Sequence, residues 1–134
     1  MIQVFDASAV VAFLIDDGPQ GRWCEAQMID AELVAPHLMP IEAANILRRT
    51  EARRVIDPSE AAAALADLRR LDVELLPFEA LVERAWALRA NVTVYDACYV
   101  AAAELVDGCL VTLDRKLASA PGIRCKVDVA PGRA

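Results

Sequence analysis

The chain has 134 residues, 57% of them hydrophobic, with 20 acidic against 14 basic side chains and a formal net charge of −6. That length suits one domain with a substantial core, and the acidic balance argues against a protein that coats nucleic acid through bulk electrostatics, though not against nucleic acid as a substrate. No run approaches the roughly 18 apolar residues of a membrane span, and the opening MIQVFD lacks a basic region ahead of a long apolar core, so a soluble, cytoplasmic protein without membrane contact is expected.

In chain order, Ile2 to Phe5 is short and β-branched at Ile2 and Val4, a buried-strand pattern that ends on Asp6. Ser8 is placed to cap a helix from Ala9 to Ile15. The loop DDGPQG leads to a helix from Arg22 to Ala31, then a strand from Leu33 to Pro36. Pro40 suits the first turn of a long helix reaching Arg54, with Glu42 in that turn and Asn45 one turn later on the same face. Asp57 and Pro58 open an Ala-rich helix to Arg70, followed by a strand at Val73 to Leu76 and a helix from Phe78 to Ala90. Thr93-x-x-Asp96 marks the start of a helix that is apolar on nearly every side from Ala97 to Leu105 and is therefore buried. CLVTL, from Cys109 to Leu113, is the best strand of the second half and ends on Asp114. A short helix at Arg115 to Ala118 and a strand at Ile123 to Val127 complete a single domain over 1–129, and 130–134 is expected to be a mobile tail.

Strands alternating with helices predict a mainly parallel five-stranded sheet in a three-layer α/β/α sandwich. Under that topology Asp6 and Asp114 leave strand ends on one edge, where the helix starts bearing Glu42 and Asp96 also open. Two carboxylates about 5 Å apart repel by about 3 kcal/mol at an effective dielectric near ~20, so four ionised together need compensation. A first-turn acid also serves a helix dipole, so each taken singly fits capping as well as chemistry. The four cysteines form no C-x-x-C pair and read as free, buried thiols, and His37 is the only histidine. An all-oxygen donor set favours Mg²⁺ or Mn²⁺ over zinc. Such an ion acidifies water and neutralises phosphate oxygens, which points to phosphodiester hydrolysis with 5′-phosphate and 3′-hydroxyl products.

Four stretches in order, VFDASAVVAFL, IEAANILRR, YDACYVAAAE and VTLDRKLA, make the chain resemble a PIN-domain ribonuclease of the VapC toxin type. The resemblance implies a Mg²⁺- or Mn²⁺-dependent endoribonuclease acting on RNA. It also implies a cognate antitoxin that blocks the acidic site, and commonly a toxin homodimer within a larger toxin–antitoxin complex. Carried across residue by residue, the family's acidic set falls on Asp6, Glu42, Asp96 and Asp114, with Ser8, Asn45 and Thr112 as supporting polar positions. In this assignment Asp6 and Asp96 bind the principal metal, Glu42 orients water or acts as base, and Asp114 contributes through water or to a second metal. Lys116 stands where some members carry a further acid. Arg49 and Arg53, four apart on one helix face, are candidates for RNA phosphates, although a basic helix end also complements the dipole. The reading from a different class is a catalytically silent PIN-like module that only binds a partner protein. A receiver-type domain wants paired acids after the first strand, and a haloacid-dehalogenase-like phosphatase wants D-x-D where this chain has Asp6-Ala7-Ser8.

Overall fold

The computed structural model describes residues 1–132. Its elements run β1 (Ile2–Phe5), α1 (Ala7–Ile15), α2 (Pro19–Met28), β2 (Glu32–Pro36), α3 (Leu38–Ala52), α4 (Pro58–Arg70), β3 (Val73–Leu76), α5 (Phe78–Ala87), α6 (Val94–Leu105), β4 (Cys109–Thr112), α7 (Arg115–Ala118) and β5 (Lys126–Val129). The five strands form one sheet in the order β3-β2-β1-β4-β5, and every neighbouring pair is parallel. Helices α1 to α4 pack among themselves as one group, while α6 packs on α5 and on β1, β2 and β4. The expected three-layer α/β/α architecture is therefore present.

The chain steps outward from β1 to β2 and β3, crosses back to β4 on the other side of β1, and continues to β5. Connections thus leave β1 and β4 in opposite directions, opening a crevice at the carboxyl ends of these two adjacent strands. Open α/β sheets bind their ligands at such a reversal. Behind the crevice lies α6, whose Ala97 to Ala103 are all buried. Its alanines present little side-chain bulk to the sheet, and Val100, Leu110, Val4 and Val10 fill the core around it.

Several element boundaries differ from the sequence reading for physical reasons. Helix α2 begins at Pro19, which occupies its first turn with no donor to lose, rather than at Arg22. Helix α3 begins at Leu38, so Glu42 lies beyond the first turn, and dipole capping does not account for it. Strand β5 runs from Lys126 to Val129 instead of Ile123 to Val127, because its register is set by pairing with Cys109 to Thr112 of β4. Order also continues past 129. Ala130 is buried and donates its N–H to the Thr112 carbonyl, and Pro131 accepts a bond from the Gln20 amide, so the expected mobile tail is held through 131, while 133 and 134 lie outside the described residues. All four cysteines are free, and burial pushes the Cys24 thiol up to about 12. Among the described residues no helix is long and apolar enough to cross a membrane.

Candidate active site

Asp6 follows β1 directly and is the N-cap of α1, accepting the Ala9 N–H at 3.0 Å. The sequence assigned that cap to Ser8. Instead the Ser8 hydroxyl donates to the same Asp6 oxygen, Oδ1, at 2.6 Å, which an acid at the cap permits and a serine cap would not. The other oxygen, Oδ2, accepts a short bond from the Thr112 hydroxyl at the end of β4. Leu113 N–H donates across to Ser8 Oγ at 3.4 Å, and Asp114 N–H donates locally to Thr112 Oγ1 at 3.0 Å. Ser8 in the first turn of α1 and Thr112 at the end of β4 therefore hold one carboxylate in place from two elements.

Asp6 is only 7% exposed. Burial pushes its carboxyl above the ordinary range against the three hydrogen bonds that lower it, and Asp96 pushes it further in the same direction. Asp96 stands in the first turn of α6, where the Thr93 side chain accepts its N–H at 3.2 Å. Its carboxyl too is raised, first by burial and then by the negative charge of Asp114. Asp114 caps α7 by accepting the Lys116 N–H at 2.9 Å and is exposed. Asp6, Asp96 and Asp114 thus form a line of mutually repelling acids along the crevice.

Glu42 joins them less directly. Its Oε1 accepts the Tyr99 hydroxyl at 2.5 Å, and the Tyr99 phenol responds to the charges of both Glu42 and Asp6. Tyr99 is the member of this group that the sequence reading passed over, because it sits inside an apolar helix. Two signals were available: Tyr99 lies three residues after Asp96, on the same helix face, and a buried phenol needs a partner. Asn45 is not part of the group, since its side chain is exposed and its Oδ1 is taken by Arg48 Nε at 2.9 Å. Arg49 and Arg53 are exposed at the far end of α3, about 10 and 16 Å along the helix from Glu42 at ~1.5 Å per residue.

The arrangement suits a hard divalent cation by its donors. The three aspartates offer only oxygen, and burial, with a further push from a neighbouring carboxylate that a cation would relieve, raises the carboxyls of Asp6 and Asp96. Among the described residues, however, no three acidic, thiol or imidazole groups are clustered tightly enough to hold an ion. The expected convergence of four acids is thus an electrostatically linked line, with Glu42 reached through Tyr99, rather than a ready-made cage.

A depression of about 810 Å³ lies at the opposite edge of the sheet against Gln3, Glu104, Cys109, Arg124 and Lys126. Two of its acids are engaged internally: Glu104 accepts from Arg84 and from the Arg124 N–H, and Asp128 accepts from the Cys109 thiol at 3.2 Å. It lies at the amino ends of the strands, away from the crevice where this sheet type places ligands.

Comparison with known proteins places the chain in a family. The chain is 43% identical over 129 residues to the protein named VapC ribonuclease Mb0985 of Mycobacterium bovis, covering 96% of this chain and 98% of that one. Among solved structures, PAE2754 from Pyrobaculum aerophilum superposes with a TM-score of 0.66 at 26% identity, covering 96% of this chain and 84% of that one. A VapBC-5 toxin–antitoxin family member from Mycobacterium tuberculosis has the same fold, with a TM-score of 0.57 at 20% identity over 96% and 97% of the two chains. The PIN domain family pattern matches residues 4–123, and the chain belongs to the PIN-domain family.

Proposed function

We propose that this chain is a ribonuclease that acts as the toxin of a toxin–antitoxin pair. In this reading it is a Mg²⁺- or Mn²⁺-dependent endoribonuclease, neutralised by a cognate antitoxin and assembled as a homodimer. The observation that carries the reading is Asp6, a buried carboxylate fixed by Ser8, Ala9 and Thr112 at the crevice and set beside Asp96, in a chain 43% identical along nearly its whole length to a VapC ribonuclease.

The roles follow from position. Asp6 and Asp96 would hold the principal ion, which when bound would supply acidified water and neutralise charge on the phosphate. Asp114, exposed and turned toward its own helix N-terminus, contributes through water. Glu42, with one oxygen occupied by Tyr99, uses the other to orient the attacking water or take its proton. Ser8 and Thr112 keep the Asp6 oxygens aimed, and the Thr93 cap fixes where α6 presents Asp96. Arg49 and Arg53 are far enough along α3 to meet backbone phosphates flanking the scissile bond rather than the bond itself.

The test is cleavage of RNA by the purified chain with Mg²⁺ or Mn²⁺. Products should carry 5′-phosphate and 3′-hydroxyl ends, and 2′,3′-cyclic phosphate ends would refute hydrolysis by water.

A further inference from the structure

We infer that Tyr95 is a substrate-stacking residue, whose ring beside the crevice is the platform for an unpaired nucleobase of single-stranded or looped RNA next to the bond that is cut. The inference rests on the reading of the chain as a ribonuclease that cleaves at Asp6 and Asp96.

Tyr95 lies in the first turn of α6, immediately before Asp96, and is 63% exposed. Its place on the helix sets the direction it faces. Tyr99 stands four residues later and reaches Glu42 of α3 with its hydroxyl. Residues four apart share one helix face, with Cβ atoms about 5–6 Å apart, so Tyr95 stands on the side of α6 that turns toward α3. Helical side chains also lean toward the helix N-terminus, and that end of α6 is the one that presents Asp96 to the crevice. The two tyrosines thus divide: Tyr99, 2% exposed, closes the contact between the helices, and Tyr95 stands one turn further out, in solvent.

Nothing within the chain accounts for an aromatic side chain at 95. Among the described residues its hydroxyl has no hydrogen-bond partner and its ring no aromatic or cationic neighbour, whereas Trp86, exposed to a similar degree, carries Arg89 over its ring at 4.7 Å. Helix propensity does not select it either, since alanine or glutamate favours an exposed helical position more than tyrosine does. An RNA base does account for it. Every nucleobase has a π face, and stacking on an aromatic side chain tightens binding on the order of 5- to 150-fold per base. The acids of the crevice repel phosphate, and Arg49 and Arg53 lie at the far end of α3, so an uncharged ring adjoining Asp96 supplies affinity where charge does not. Bases in a duplex are stacked on one another, and only an unpaired base can splay out onto such a ring.

The experiment uses a short single-stranded RNA spanning a cleavage site mapped with the wild type, and the same RNA with the base removed at each position flanking the cut. Cleavage kinetics in Mg²⁺ or Mn²⁺ are measured for the full chain as wild type, Tyr95→Ala, Tyr95→Phe and Tyr95→Trp, and binding by fluorescence anisotropy for each in an Asp6→Asn background. Tyr95→Ala should raise KM and Kd by about 10-fold or more while kcat holds, and the two variants that keep a ring should match the wild type. Removing the base at one flanking position should weaken wild-type binding by the same factor and Tyr95→Ala no further. Unchanged KM and Kd in Tyr95→Ala overturn the inference and leave the ring to a protein partner. A loss in Tyr95→Phe equal to that in Tyr95→Ala also overturns it, by placing the effect in the hydroxyl, as do a fall in kcat alone, which would mark a shift of Asp96, and losses from Tyr95→Ala and base removal that simply add. The underlying reading fails separately. If cleavage requires Asp6 and Tyr95→Ala binds normally, only the inference is lost; if the wild type leaves RNA intact, or Asp6→Asn cuts at the wild-type rate, the ribonuclease reading of the crevice fails and takes the inference with it.

Discussion

Thr112→Val removes the single hydroxyl that donates to Asp6 Oδ2 and accepts from the Asp114 N–H, while keeping the side chain's shape at a fully buried position. A hydrogen bond to a charged group contributes about 1.5–3 kcal/mol, and one between neutral groups about 1 kcal/mol. The loss should therefore depend on whether Asp6 is ionised. Burial raises the Asp6 carboxyl, so the folded chain holds that proton more tightly than the unfolded chain does. Stability from this proton is complete below the unfolded value near 3.8 and is lost as pH rises through the raised folded value. Removing the Thr112 donor raises the folded value further and extends that loss to higher pH. Urea unfolding with chelator present should show Thr112→Val less stable by about 1.5–3 kcal/mol near neutral pH but by only about 1 kcal/mol near pH ~4. Equal losses at the two pH values, or none at neutral pH, would refute the claim that Thr112 holds an ionised Asp6.

Arg84 bonds Glu104 at 2.6 Å and the Gly122 carbonyl at 2.6 Å, fastening α5 and α6 to the approach to β5. Burial opposes ionisation of Glu104, but Arg84 and the Arg124 N–H outweigh it and hold the carboxyl below its ordinary value. This stability is present above the unfolded pKa and lost as pH falls through the folded one, so Arg84→Ala should cost about 2–3 kcal/mol in urea at neutral pH and progressively less in acid. A loss of the same size at both ends of the range would contradict the assignment. Mn²⁺ at ~100 times its Kd should stabilise the wild type by about 2.7 kcal/mol in a thermal-shift assay, and Asp96→Asn should lose most of that gain. An undiminished gain would remove Asp96 from the metal site.

Much of this was legible in the sequence because strand, helix and acid follow one another in repeating units. Four apolar residues ending on Asp6 and CLVTL ending near Asp114 predicted two strands whose ends share an edge, and Thr93 with Asp96 predicted the start of α6. What escaped depends on long-range pairing. Asp6 and Ser8 are both good caps, and the bond from Thr112, 106 residues away, helps make Asp6 the cap and Ser8 its donor. Strand β5 begins three residues later than its apolar pattern suggested, because only the ladder with β4 fixes its register. Hydropathy marked the helix around Tyr99 as buried, yet nothing local said that its hydroxyl would meet Glu42, 57 positions earlier. The same blindness placed four acids at one point, when the folded chain spaces them along a crevice.

The most direct test of the account compares RNA incubated with the wild type and with Asp6→Asn, folded to the same extent by circular dichroism, with Mg²⁺ or Mn²⁺ present and the new ends sequenced. The wild type should generate discrete 5′-phosphate ends and Asp6→Asn should generate none above background, while Asp6→Asn that cleaves at the wild-type rate would contradict the assignment of the crevice as the catalytic site.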